Sequence, residues 1–160
     1  LLFINYLINF FKIMNKKNIL SIIDIRNNKK GVTPLFLDSV SAGFPSPATD
    51  YMENKLDLNE YLVKHPAATF IVKASGPSMT EAGILSGDLL IVDRSVTPKN
   101  DNIVIASVFG DLTVKKLRKK GSTLFLVSAN NEYPSIKIKE EMECFIWGVV
   151  TYVIHKTITK

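Results

Sequence analysis

Two residue types in this 160-residue chain could carry acyl-transfer chemistry: a serine in a tight turn and a lysine in an apolar strand. Ser78 lies in VKASGPSMTE (72–81), where Gly76-Pro77 turns the chain sharply after an apolar stretch and presents the next side chain. A serine hydroxyl is a weak nucleophile and needs a base within hydrogen-bond reach. Only His65, before a proline, and His155, in the tail, offer an imidazole, and neither stands in a context that suggests a Ser-His-Asp triad. The remaining base is lysine, which works only when its amine is neutral, and burial can depress a lysine pKa by about 3–5 units. TVKKL (113–117) supplies Lys115 and Lys116. Alternation puts Thr113, Lys115 and Leu117 on one face and Leu112, Val114 and Lys116 on the other. Both faces carry apolar residues, so periodicity does not say which lysine is buried. Taken locally, an ordinary turn serine and two solvated lysines of an edge strand account equally well for these residues.

The elements that must position such a pair are strands. TFIVKAS (69–75), DLLIVD (88–93), NIVIASV (102–108), LTVKKL (112–117), TLFLVSA (123–129) and CFIWGVVTYVI (144–154) are rich in β-branched and aromatic residues. Gly, Pro, Asn or Asp punctuates the gaps. Gly110-Asp111 has the chemistry of a two-residue hairpin turn, which makes 102–108 and 112–117 antiparallel neighbours. Gly121 and Asn130-Asn131 mark further reversals. No crossover helix of useful length separates the strands, so a parallel sheet is disfavoured and the expected class is all-β. One short helix is expected over 57–64, DLNEYLVK, with Asp57 as its N-cap, Glu60 three residues on and Pro66 beyond its end.

The composition changes near residue 42. Before it lies an arm without a clear period, broken by Asn27-Asn28-Lys29-Lys30-Gly31 and Pro34; SAGFPSPATD (41–50) follows, whose Gly43, Pro45 and Pro47 forbid a regular helix or central strand. That stretch reads as an extended linker of the kind a protease can hold. Lys12, Lys16, Lys17, Arg26, Lys29 and Lys30 against Asp24 and Asp38 put +4 of the formal +5 charge on residues 1–42, leaving +1 for 43–160. A nearly neutral globular part argues against a duplex-binding surface.

One cysteine, Cys144, excludes an intramolecular disulfide framework and a CxxC site and fits a reducing cytoplasm; among Phe145, Ile146 and Trp147 it reads as a small core hydrophobe. Neither histidine has metal-ligand spacing, and no cofactor motif is present. The uncharged run Leu1–Phe11 is shorter than the roughly 18 to 20 residues of a membrane span, and no basic segment precedes it as in a signal peptide. Met14 is the first methionine, which suggests that residues 1–13 lie upstream of the native start.

Four stretches in order, AGFPSPATDY (42–51), KASGPSM (73–79), GDLLIVD (87–93) and TVKKL (113–117), resemble the self-cleaving serine–lysine peptidases of the LexA and UmuD group. The resemblance covers about residues 33–154, and the FPSP segment and DLNEYLVKHPAATF place it nearer the UmuD side. It implies a strongly twisted antiparallel fold of the LexA C-terminal and signal-peptidase type, with Ser78 as nucleophile, Lys115 as general base and Ala42-Gly43 as the scissile bond. It also implies two parts, an arm of residues 1–42 removed by cleavage and a catalytic and dimerisation domain of residues 43–160. Lys116 is then an exposed neighbour. The family's oxyanion site uses the main-chain N–H of the residue before the serine, and here that residue is Pro77, which has none.

The same resemblance implies a homodimer, cleavage stimulated by a RecA filament on single-stranded DNA after DNA damage, and a product that joins a UmuC-like Y-family polymerase subunit in error-prone translesion synthesis. Three alternatives stand beside it. A LexA-like repressor carries a helix-turn-helix domain of roughly 70 residues before its cleavage site, whereas 41 residues precede Ala42 here. A type I signal peptidase shares the Ser-Met motif and lysine base, but the usual following proline is replaced by Thr80-Glu81. A non-catalytic dimerisation module would use Ser78 only as a turn.

Overall fold

The computed structural model describes residues 22–23, 32–36, 52–139 and 141–158, with residues 22–23, 32–36 and 52–55 described as strand backbone only. The described residues form ten strands in chain order: β1 (Ile22–Ile23), β2 (Val32–Phe36), β3 (Met52–Asp57), β4 (Thr69–Lys73), β5 (Leu89–Asp93), β6 (Ile103–Val108), β7 (Asp111–Lys120), β8 (Thr123–Val127), β9 (Ile136–Lys137) and β10 (Cys144–Ile154). β2 and β3 form a separate ribbon; the other eight make one sheet in the order β1-β4-β5-β10-β6-β7-β8-β9. Every described pairing is antiparallel, as the missing crossover helices require.

All six strands expected from the β-branched runs are present. The short β1 and β9, and the β2–β3 ribbon with Pro34 opposite Lys55, were not anticipated. The 102–117 hairpin exists, but its turn lies one residue earlier than expected. Val108 pairs with Asp111, so the two loop residues are Phe109 and Gly110, both left-handed (φ 51° and 86°). That pair of positive angles is the type I′ geometry that matches the twist of flanking strands, and Asp111 instead opens β7. The helix is α1 (Leu58–Leu62), capped as expected by the Asp57 carboxylate, which accepts from Asn59 N–H at 2.9 Å and Glu60 N–H at 3.3 Å.

Apolar residues gather in two clusters. Val72, Ala74, Met79, Ile84, Leu90, Val92, Ile105 and Trp147 form one; Val104, Ala106, Leu117, Leu126 and Val149 form the other. β6 contributes to both by alternation, Ile105 to the first and Val104 and Ala106 to the second, all fully buried. Each such valine or isoleucine contributes about 1.5–3 kcal/mol of transfer free energy. Cys144 packs on the second cluster but is only half-buried, short of the core position expected, and burial raises its thiol pKa.

β10 holds the sheet together, pairing with β5 along one edge and β6 along the other. Its register shifts between Ile146 and Gly148, a bulge that lets the strand serve both neighbours. Glycine is required there: a Cβ on Gly148 would lie 2.7 Å from Val92 Cγ1 and 3.2 Å from the Asp93 carbonyl oxygen. Among the described residues no helix is long and apolar enough to cross a membrane.

Candidate active site

Ser78 belongs to a closed excursion between β4 and β5. The excursion leaves and returns at one place, where Ala74 N–H donates to the Asp88 carbonyl (2.8 Å) and Gly87 N–H to the Ala74 carbonyl (2.9 Å). Two apolar side chains anchor it from within, Met79 and Ile84, each 2% exposed in the first cluster. Gly76 turns the chain with φ 83°, a conformation a Cβ would strain, and Pro77 follows it directly. Ser78 is half-buried, fixed by the buried methionine beside it and still reachable.

Lys115 comes from the middle of β7, where its register partner on β6 is Val104. It is buried (7% exposed), and on the same face Leu117 is buried too. The ambiguity between the two lysines therefore resolves to Lys115. Lys116 is half-buried and not the exposed neighbour expected, because β7 is covered on both faces there.

The turn and the strand bring these residues together. Lys115 Nζ lies 3.1 Å from Ser78 Oγ and 3.1 Å from the Val114 carbonyl oxygen. Burial pushes the Lys115 amine below the ordinary lysine value, since the charged form is the one that loses solvation. A charged amine donates to both oxygens. A neutral amine can keep one N–H on Val114 and turn its lone pair to the Ser78 hydroxyl proton, which is the arrangement a general base needs. Ala42 and Gly43, expected as the scissile pair, lie outside the described residues.

Neither histidine is bonded to Ser78. His65 Nδ1 is 2.6 Å from Asp93 Oδ2, and His155 Nδ1 is 2.6 Å from Asp88 Oδ1. Both aspartates are 3% exposed, so each imidazole partners a buried carboxylate at one end of β5. Those pairings had no sequence signal because the partners are 28 and 67 positions apart. Among the described residues no group of His, Cys, Asp and Glu could hold a metal ion.

A residue with no role in the sequence reading also reaches the serine turn. Asn130, between β8 and β9, donates from Nδ2 to the Pro77 carbonyl oxygen at 3.0 Å. Its neighbour Ala129 accepts from Glu81 N–H at 2.8 Å. The Asn130-Asn131 pair had signalled only a reversal, and nothing local could reveal a partner 53 positions away.

A family model described as Peptidase S24-like matches residues 34–151. Protein ImpA of Escherichia coli is 51% identical over 127 residues, covering 79% of this chain and 86% of ImpA. Protein SamA of Salmonella typhimurium is 48% identical over 128 residues, covering 80% and 89%. Protein MucA of Escherichia coli is 42% identical over 120 residues, covering 74% and 82%.

Proposed function

The chain belongs to the Peptidase S24-like family, on its UmuD-like side, and on that premise we propose that it cleaves its own Ala42–Gly43 bond with Ser78 as nucleophile and Lys115 as general base. The observation that carries the reading is the 3.1 Å approach of Lys115 Nζ to Ser78 Oγ, made by an amine whose burial favours its neutral form. Neutral Lys115 takes the hydroxyl proton, and Ser78 Oγ forms a bond to the Ala42 carbonyl carbon. Collapse of the tetrahedral adduct breaks the Ala42–Gly43 C–N bond, and the protonated Lys115 returns its proton to the departing Gly43 amine. Water then hydrolyses the Ala42 ester and frees Ser78.

In this reading residues 1–42 are an arm removed once, and 43–160 are the product. The cellular role is SOS mutagenesis in the cytoplasm. A RecA filament on single-stranded DNA favours the conformation in which the Ala42–Gly43 bond occupies the site, a population shift rather than new chemistry. The product, a homodimer, joins a UmuC-like Y-family polymerase subunit in translesion synthesis. The UmuD-like relatives at 42–51% identity support this role.

Incubation of the purified chain at about pH 10, where even an ordinary lysine is partly neutral, tests the chemistry. The expected product is a fragment whose amino terminus is Gly43, formed by the wild type and not by Ser78→Ala, Lys115→Ala or the bulky Ala42→Phe. Cleavage that persists in Ser78→Ala or Lys115→Ala would exclude the assignment.

A further inference from the structure

Pro77 has no N–H to offer an oxyanion, and that leaves the Ser78 N–H as the donor built into the nucleophile's own turn. Among the described residues none accepts a hydrogen bond from that N–H. The other end of the same peptide group is heavily engaged. The Pro77 carbonyl oxygen accepts from Asn130 Nδ2 at 3.0 Å, from Thr80 Oγ1 at 3.1 Å and from Thr80 N–H at 3.3 Å. The Pro77–Ser78 peptide bond is trans, as are the others among the described residues. In a planar trans peptide the C=O and N–H point in opposite directions, so holding the oxygen of Pro77 aims the hydrogen of Ser78. Donors on the carbonyl also draw electron density from the amide and strengthen its N–H as a donor.

Resting on the reading of Ser78 and Lys115 as the reacting pair, we propose that Asn130 is a positioning residue for the oxyanion: by gripping the Pro77 carbonyl it orients and polarises the Ser78 N–H that receives the developing charge. Asn130 suits the task because its side chain is itself held. Its Oδ1 accepts from Glu132 N–H at 3.0 Å, which leaves Nδ2 facing Pro77. The Glu81 N–H to Ala129 carbonyl bond (2.8 Å) ties the same two segments a second time, so the grip does not depend on one contact for its geometry. Thr80 assists from within the turn, but its bonds are local to the excursion. Asn130 alone of these donors couples the serine turn to the β8–β9 connection.

The test is the alkaline self-cleavage rate of the full chain as a function of pH, measured for wild type, Asn130→Asp, Asn130→Ala and each of these with Pro77→Ala. Asn130→Asp keeps the acceptor for Glu132 N–H but exchanges the donor to Pro77 for a carboxylate, whose charge itself opposes an oxyanion and favours a charged Lys115, so the uncharged Asn130→Ala carries the comparison. Cleavage by Asn130→Ala is expected to slow by about tenfold or more at every pH, as the loss of a useful hydrogen bond does, with the pH midpoint set by Lys115 unmoved. Pro77→Ala restores an N–H at position 77 and should speed cleavage. In that background the Asn130 substitutions should cost markedly less, because a second donor shares the charge. A rate within twofold of wild type for Asn130→Ala, a displaced midpoint in that variant, or an equal loss with and without Pro77 would each overturn the proposal. Thermal unfolding of every variant separates an unfolded protein from a slowed one, and Asn130→Asp should melt within a few degrees of wild type. Ser78→Ala and Lys115→Ala run alongside distinguish the failures: cleavage in either removes the reacting pair, whereas their inactivity beside a fast Asn130→Ala removes only the role given to Asn130.

Discussion

Lys115 Nζ stands 3.1 Å from Ser78 Oγ across 37 positions of chain, and no imidazole takes part. The two arrive by different means. Ser78 is carried on an excursion pinned by Met79 and Ile84, whereas Lys115 is a regular β7 residue whose burial follows from the register that sets it against Val104. An amine brought to a hydroxyl in this way depends on the sheet being intact.

Self-cleavage should therefore accelerate with pH along the titration of Lys115, with a midpoint below its ordinary 10.5. The folded pKa is the lower one, so between it and 10.5 the unfolded chain binds more protons and stability rises with pH. Below that window the fold carries the cost of a desolvated ammonium. At pH 7, Lys115→Met should abolish cleavage and raise the melting temperature by about 2–4 °C, the shift that roughly 1 kcal/mol produces at this size. A midpoint at or above 10.5, or a less stable Lys115→Met protein, would count against the buried amine.

Phe109 occupies the first position of a type I′ turn at φ 51°, with 66% of its surface exposed. Left-handed backbone costs most residues about 1–2 kcal/mol, a cost asparagine largely avoids. Phe109→Asn creates the favoured Asn-Gly turn and should stabilise the protein by about 0.5–1 kcal/mol. Urea unfolding of both proteins checks this; an unchanged or lower midpoint would sink it.

Gly148→Val tests the bulge of β10. Its Cβ would meet Val92 Cγ1 at 2.7 Å and the Asp93 carbonyl at 3.2 Å, and backbone cannot yield as a side-chain tip can. Overpacking of this kind costs about 1–3 kcal/mol. A chemical denaturation midpoint equal to the wild type's would show that the strand relaxes freely.

Asp93 should shape the acid limb of stability. Burial alone would raise its pKa, but hydrogen bonds from Ser95 and His65, with the histidine's charge, outweigh it and leave the carboxyl below its usual 3.8. The folded value being the lower one, the contribution is full above 3.8 and is lost as pH falls through the depressed folded pKa. Asp93→Asn should remove that dependence, seen as a flatter loss of melting temperature below pH 4 or so. An unaltered acid limb would exclude Asp93 as its source.

The six long strands were legible because β-branched and aromatic residues crowd them, and the Asp57 cap because it sits at the start of a short helical run. β9 escaped notice because two residues carry no period, and β2 because Pro34 argues against a strand when its ribbon partner is unseen. The hairpin turn was misplaced by one residue because phenylalanine is not a turn residue, yet the register put it there. Lys115 could not be told from Lys116 by alternation, since β7 is covered on both faces. The partners of His65, His155 and Asn130 are long-range, and only the folded sheet makes them neighbours.

The place of β10 in the sheet has a consequence in time. Ser78 follows β4 and Lys115 lies on β7, and the order β4-β5-β10-β6-β7 leaves the serine half and the lysine half joined through a strand made after both. While residues 144–154 are still inside the ribosome, β5 and β6 have no strand between them. The nascent chain thus carries Ser78 and Lys115 without the frame that brings them together until residues 144–154 have left the ribosome and joined the sheet.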